Sequence, residues 1–345
     1  MMKQKMVMCL LTGVLVLGIG GCGTQEVEVP EVENVETAEE EPVPEETAEE
    51  EGDEQEKTDA EDQLKEVPTV DDAAESGKTE PEETEAASAP VVYEDGGQIT
   101  LDPSWTYADH SKINSGAAVL YKAAENRKEI VVGVNAGHGT FGGTKVKTLC
   151  HPDGSAKVTG GTTAAGATEA VAVSSGMTFN DGTPESSVTL RMAQILKEKL
   201  LSAGYDVLML RDGDDVQLDN VARTVICNNA ADCHIALHWD GDGLNYDKGC
   251  FYISVPDGLK SMEPVASHWS EHNALGSALV EGLRAQGAKI NGGGSMSIDL
   301  TQTSYSTIPS VDMELGNACS DHSDSVLDLL GNGLVQGVNS YFGQS

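Results

Sequence analysis

Basic residues are scarce. Lysine and arginine together number 21 against 57 aspartates and glutamates, a formal net charge of −36, and the sequence offers no basic patch, so a nucleic-acid partner is excluded. Aromatic residues make up only 4 % of the chain. Between Gln25 and Asp95 the only one is Tyr93, and Glu, Asp, Pro, Ala and Thr dominate. A segment so poor in apolar side chains cannot offset its ordering entropy, so residues 22–95 are expected to form a disordered acidic tether. That stretch holds roughly 26 of the net negative charges, which makes the acidity a property of the tether rather than of a binding surface. Fully extended, roughly 70 residues at about 3.3 Å each reach ~230 Å. Long apolar runs are missing too. The run from Met6 to about Gly20, roughly 15 residues, is too short to span a bilayer comfortably. With Lys3 and Lys5 before it, it has the pattern of a signal peptide over residues 1–21. Beyond the tether, cysteine is limited to Cys150, Cys227, Cys233, Cys250 and Cys319 with no C-x-x-C pair, which argues against a zinc ribbon or a thioredoxin-like motif. The odd count leaves at least one thiol unpaired, and spacing alone assigns no disulfide. No internal repeat is present.

Residues 96–345 have ordinary apolar content and enough length for one sizeable core. Short β-branched runs alternate there with longer amphipathic ones, which predicts an α/β layer structure: a twisted, largely parallel sheet with helices on both faces. Strands are expected at Ile130 to Val134, Tyr205 to Leu210, Asp232 to His238, Cys250 to Val255 and Ser310 to Leu315. Thr183 and Pro184 look like the N-cap and first residue of a helix carrying Val188, Met192, Ile195, Leu196 and Leu200 on one face. Further helices are expected over Val216 to Asn229, from about Glu263 to Gln286, and from about Ser323. Thr140 to Gly182 has no clear period; a loop so long is either a functional insertion near a site or secondary structure that the pattern conceals.

On this scheme His138 follows the end of the first strand, His238 ends the third, and Glu314 ends the strand at Ser310 to Leu315. Ligands of open parallel sheets bind outside the carboxyl ends of the strands, where the following helices also begin, so Glu185 in a first helical turn should face the same crevice. Two histidines and a carboxylate around an open fourth position make a catalytic zinc site, because water there can ionise near neutral pH. A second carboxylate can move the proton.

The segments VNAGHGTFGG, TPESSVTLRMAQILKEKLLSAGYDVLMLR, NNAADCHIALHWDGD and IPSVDMELGN resemble, in order and spacing, the four blocks of the zinc-dependent N-acetylmuramoyl-L-alanine amidases of the Amidase_3 type. The resemblance covers the chain after about Lys128. It implies zinc ligands at His138, Glu185 and His238, a catalytic glutamate at Glu314, and cleavage of the amide between N-acetylmuramic acid and L-alanine in peptidoglycan. It implies a sheet covered by helices on both faces, phosphorylase/hydrolase-like in kind. Three positions depart from the family's usual pattern: Asn135 and Thr140 flank the first histidine, and Asp240 stands where asparagine is usual. None is a ligand. The segment before Glu185 is also longer than in compact members, which bears on substrate preference and self-inhibition. Ile19-Gly20-Gly21-Cys22 resembles a bacterial lipobox, which implies lipidation at Cys22 and an extracytoplasmic protein anchored to the bacterial membrane; the alternative is a stray cysteine behind an ordinary signal peptide. No separate wall-binding repeat is visible, so the anchor is expected to supply localisation.

Rival patterns explain less. Gly137-His-Gly139-Thr-Phe-Gly142 fits a dinucleotide-binding turn, but no helical period follows Gly142 and no acidic residue ends a strand about 20 residues on. His268-Trp-Ser-Glu271-His272 fits H-x-x-E-H, yet leaves the other blocks unexplained. His268 and His272 are expected to rim a pocket or pack beside Leu275. His234 shares a face with His238 but lies about 13 Å along the strand, so it is expected to pack. His322 is expected at a helix N-cap, with substrate contact as the alternative, while His110 and His151 carry no argument. A wall-binding protein that keeps only the shell of such an enzyme, and a zinc peptidase cutting within the stem peptide, remain the functional alternatives.

Overall fold

Buried parallel strands read as near-continuous apolar runs, because both of their faces are covered. The computed structural model describes residues 93–344, and its central strands have this character. Those residues belong to one compact unit, Thr84–Ser345. A second unit, Met1–Glu83, lies outside the described residues, as do the expected signal peptide, Cys22 and nearly all of the expected tether.

In chain order the elements are β1 (Gln98–Ile99), β2 (Ala118–Tyr121), β3 (Val131–Ala136), β4 (Lys147–Leu149), β5 (Glu169–Val171), α1 (Glu185–Ser202), β6 (Asp206–Met209), α2 (Asn220–Ala230), β7 (Cys233–Asp240), β8 (Cys250–Ser254), α3 (Val265–Ala285), β9 (Ile290–Ser297), α4 (Thr301–Tyr305), β10 (Ser310–Asn317) and α5 (Asp324–Tyr341). Eight strands form one mixed, mostly parallel sheet in the order β1-β2-β6-β3-β7-β10-β8-β9. Strands β6, β3, β7 and β10 run parallel at its centre. Strands β2 and β8 join this core antiparallel, and β9 adds parallel to β8. The alternation of α and β segments thus gives the expected layered sheet.

Alternate side chains leave opposite faces of a strand. Val132, Val134, Ile235 and Leu237 pack with Val188, Met192 and Leu196 of α1, Leu275 and Leu279 of α3, and Leu327 and Leu334 of α5. Each fully buried Val or Leu in this layer contributes about 1.5–3 kcal/mol of transfer free energy. The opposite layer holds α2, whose Ala222 and Ile226 pack with Leu208 and Leu210, and α4, whose Tyr305 packs with Val221 and Val225. All five cysteines among the described residues are free. No helix of the described residues is long and apolar enough to cross a membrane.

Two local expectations are corrected, the segment 140–182 holds secondary structure that its pattern conceals, and one strand goes beyond those expected. Helix α1 begins at Glu185 with Pro184 as its cap residue and no side-chain cap from Thr183. Helix α2 begins at Asn220 rather than Val216, because the Asp219 carboxylate accepts a hydrogen bond from Ala222 N at 2.8 Å and sets the start there. The segment 140–182 carries a 3-10 turn at Gly143–Lys145 and an antiparallel sheet of β4 and β5, whose three-residue strands are too short to leave a period. Strand β9, with the sequence INGGGSMS, has Ile290 as its one β-branched residue and is recruited by pairing to β8.

Asp219 is fully buried, and its second oxygen accepts from Lys112 N (2.6 Å), Ile113 N (2.8 Å) and Ser111 Oγ (3.1 Å). Replacing Asp219 with Ala strands these donors along with the helix start. The expected loss of stability is about 3 kcal/mol, read as a lower urea midpoint. An unchanged midpoint would contradict this role.

Candidate functional site

His138 leaves the end of β3 with a φ of 66°, in the left-handed region. Its Nδ1 lies 2.9 Å from the carbonyl oxygen of Ser174. A carbonyl only accepts, so Nδ1 carries the proton and the Nε2 lone pair is free. Glu185 opens α1, where its Oε2 accepts from Met177 N (2.8 Å) and its Oε1 from Trp239 N (3.0 Å). His238, near the end of β7, turns Nδ1 to the same point. His138 Nε2, Glu185 Oε1 and His238 Nδ1 stand 2.9, 3.1 and 3.3 Å apart. The edge of a tetrahedron with metal–ligand bonds of 2.0–2.1 Å is about 3.3 Å. Among the described residues these three form the group of His, Cys, Asp and Glu able to hold a metal ion.

The donor set also fits an ion electrostatically. Lone pairs this close need a cation between them, either a proton on His238 or a metal. Burial disfavours a charged His238, but Asp312, Glu185 and Glu314 more than offset this and push its pKa up to about 10. The same field attracts a divalent cation. Burial likewise pushes the Glu185 carboxyl up, yet hydrogen bonds and charge from His138 and His238 prevail and hold it well below the usual carboxylate range.

Glu314 stands directly opposite His238 in the β7–β10 register. It is half-buried, and its Oε2 has no hydrogen-bond partner. Burial pushes its carboxyl well above the usual range, and Asp312, Glu185 and Asp240 add to the shift. A proton acceptor without a partner therefore stands beside the three clustered donors. Asp312, two residues earlier on the same face, was not singled out from the sequence. The alternation in Val311-Asp312-Met313-Glu314 could have found it, because it places both carboxylates on one side of the strand.

The His138 turn is clamped by two buried arginines that sequence reasoning also missed. Arg211 donates to the carbonyls of Ala136, Gly137 and Ser186 at 2.8–3.2 Å. Arg223 donates to the carbonyls of Ala136 (3.1 Å) and His138 (2.7 Å) and to Asn135 Oδ1 (2.9 Å) and Thr140 Oγ1 (2.8 Å). Both are 1 % exposed. Burial lowers their pKa values to about 10 and about 9, which leaves both charged at neutral pH. Asn135 and Thr140, the two departures flanking the histidine, thus serve the clamp. Asp240, the third, pairs with Lys248.

The site opens into a cavity of about 430 Å³ lined in part by Lys157, Gly161, Thr162 and Ile298. The segment 140–182 therefore lies at the site. Buried Asp299 fastens it, accepting from Val158 N (2.7 Å) and pairing with His151 Nε2 (2.9 Å).

The remaining histidines lie elsewhere. His234 is buried with neither ring nitrogen partnered, as expected of a packing residue. His272 is buried and accepts from Ser310 N at 3.0 Å, while His268 contacts Glu271; among the described residues the H-x-x-E-H side chains form no group of three able to hold a metal ion. His322 sits beside Asp181 at 3.1 Å, and Ser323 rather than His322 is the residue capping α5. His110 meets the Tyr305 hydroxyl. The turn after His138 leads into the 3-10 segment and β4 rather than a helix, which ends the dinucleotide interpretation.

Glycine is required at two places around the three clustered side chains. A Cβ on Gly137 would lie 2.3 Å from the His238 ring, and one on Gly176 (φ 80°) 2.7 Å from the His138 ring and 2.8 Å from Glu185 Oε2. If the three side chains hold a divalent metal ion, a Gly176→Ala protein is expected to keep its far-UV circular dichroism but lose about tenfold or more in affinity for that ion, measured by chelator competition. Native affinity in that variant would refute the placement of Gly176 against His138 and Glu185.

Residues 132–328 match the Amidase_3 family, N-acetylmuramoyl-L-alanine amidase. Among solved structures, the chain is similar to the apo form of the N-acetylmuramyl-L-alanine amidase Ami1 from Mycobacterium abscessus, with 21 % identity and a TM-score of 0.50 over 62 % of this chain and 99 % of that one. It is also similar to Ami1 from Mycobacterium smegmatis, with 19 % identity and a TM-score of 0.53 over 64 % and 99 %. At these identities the structural likeness is one of fold. A comparison with curated proteins finds no match. The family match runs through more than half of the chain and takes in His138, Glu185, His238 and Glu314: the chain belongs to the Amidase_3 family of N-acetylmuramoyl-L-alanine amidases.

Proposed function

We propose that this chain hydrolyses the amide between the lactyl group of N-acetylmuramic acid and the L-alanine of the stem peptide, using zinc held by His138, Glu185 and His238. The observation that carries this is the meeting of three donor atoms at 2.9–3.3 Å beside the unpartnered oxygen of Glu314. When bound, the ion supplies Lewis acidity, which polarises a carbonyl and makes water nucleophilic near neutral pH. The chain's own residues do the rest. Glu314 takes the proton of the attacking water and delivers it to the departing amine of L-alanine. Its raised proton affinity suits both halves of that task, since the proton must be held until the amine leaves. The Ser174 carbonyl keeps the His138 ring in one tautomer, and the arginine clamp holds the turn that carries it.

The remaining expectations belong to the same proposal. Residues 96–345 act as the catalytic domain, residues 22–95 as a tether, and Cys22 as the lipidated end that holds the enzyme outside the membrane, within reach of peptidoglycan.

Purified protein is expected to contain zinc and to release from peptidoglycan intact stem peptides that begin with L-alanine. Fragments cut within the stem would instead identify a peptidase, and a metal-free, inert protein would identify a wall-binding shell. Glu314→Ala is expected to cut kcat by about a hundred- to ten-thousand-fold while zinc is retained. Undiminished turnover would remove Glu314 from the role of base. A Cys22→Ala protein is expected to lose lipid label and to be shed or left unprocessed, and normal labelling of it would refute the anchor.

A further inference from the structure

We propose that Asp312 is a positioning residue of the metal centre, whose buried carboxylate accepts the Nε2–H of His238 and so holds that ring with Nδ1 facing His138 and Glu185. The proposal rests on the zinc reading above. His238 presents Nδ1 to His138 Nε2 and Glu185 Oε1 at 3.1 and 3.3 Å. A neutral imidazole that offers one nitrogen as a ligand carries its proton on the other, and the partner of that second nitrogen decides the tautomer and the ring's orientation. His138 has such a partner in the Ser174 carbonyl. His238 has no hydrogen bond at Nε2, but the carboxylate oxygen Oδ2 of Asp312 lies 3.9 Å from it.

That gap exceeds a hydrogen bond by about 1 Å, which a modest turn of the Asp312 side chain can close. The topology favours the pairing. Parallel strands β7 and β10 set Glu314 opposite His238 and Asp312 opposite Ala236, so Asp312, Glu314 and His238 share one sheet face.

Asp312 is otherwise hard to account for. It is only 9 % exposed, and its Oδ1 is buried without a partner. An isolated buried carboxylate is costly, and here Glu185 and Asp240 add repulsion. The cost is offset if Asp312 accepts a hydrogen bond from the N–H of a histidine whose other nitrogen faces a cation. With the ring held by Asp312, Glu314 is left free for proton transfer.

The test uses the full chain in native form and as Asp312→Leu and Asp312→Asn. Zinc dissociation constants are measured by chelator competition, with thermal unfolding in EDTA as the folding control. Asp312→Leu is expected to bind zinc about tenfold or more weakly. Asp312→Asn keeps an acceptor oxygen and is expected to fall between Leu and native. Should the Leu variant fail to fold, the near-isosteric Asn variant carries the comparison. The zinc-loaded native protein is also expected to show a downfield proton resonance from the His238 Nε2–H that Asp312→Leu abolishes, a signature that loss of packing alone would not remove. Native protein that binds zinc while the folded variants bind it within about twofold as tightly overturns the role of Asp312 alone. Native protein that binds no zinc overturns the zinc reading together with it.

Discussion

The constraint on which this site depends is the crowding of unshared electron pairs. Two imidazole nitrogens and a carboxylate oxygen meet within hydrogen-bond distance of one another, and such an arrangement persists only if a positive charge lies among them. The surroundings enforce the crowding. The Ser174 carbonyl fixes the free lone pair of His138, the backbone amides of Met177 and Trp239 hold both oxygens of Glu185, and strand pairing holds His238 opposite Glu314. Further carboxylates then deepen the negative field around the point of convergence.

The supports come from every layer of the molecule. Arg211 follows β6 and Arg223 lies in α2, yet both converge on the turn after β3, where backbone carbonyls of a left-handed segment would otherwise lack donors. Burying two guanidinium groups is expensive. Each is compensated by several hydrogen bonds to carbonyl dipoles, so the charge is solvated by the turn that it organises. The segment 140–182 contributes twice. Its far end supplies Ser174 and Met177 as hydrogen-bond partners of His138 and Glu185, and its middle, anchored through His151 and Lys157 to Asp299, walls the cavity. A long stretch with little regular structure is thus ordered by polar contacts to the site's rim together with a few buried apolar side chains, Phe179 among them.

The convergence of the centre's residues was legible in the sequence because strands carry information in two places. Their apolar runs declare burial, and the residue just past each run declares what stands at the sheet's edge. His138 follows β3 and Glu185 opens α1, as expected, whereas β7 and β10 run on to Asp240 and Asn317 and so place His238 and Glu314 inside their strands rather than at the ends; the central strands and principal helices appear where period predicts them. The two-residue β1, the three-residue strands β4 and β5 and the glycine-rich β9 escape that logic. They form through pairing with partners distant in sequence, not through a local pattern of their own.

The sequence by itself determined the layer architecture and the four residues that converge, since both follow from local hydrophobic period and from the rule that parallel strands end at one rim. Only the tertiary structure decided how those residues are supported. Asp312 comes to face His238, the Ser174 carbonyl to orient His138, and two arginines to clamp one turn. The physical reason is that hydrogen-bond partners of a buried polar group are chosen by proximity in space. Periodicity along a chain reports which face a side chain takes, and carries no record of what it meets there.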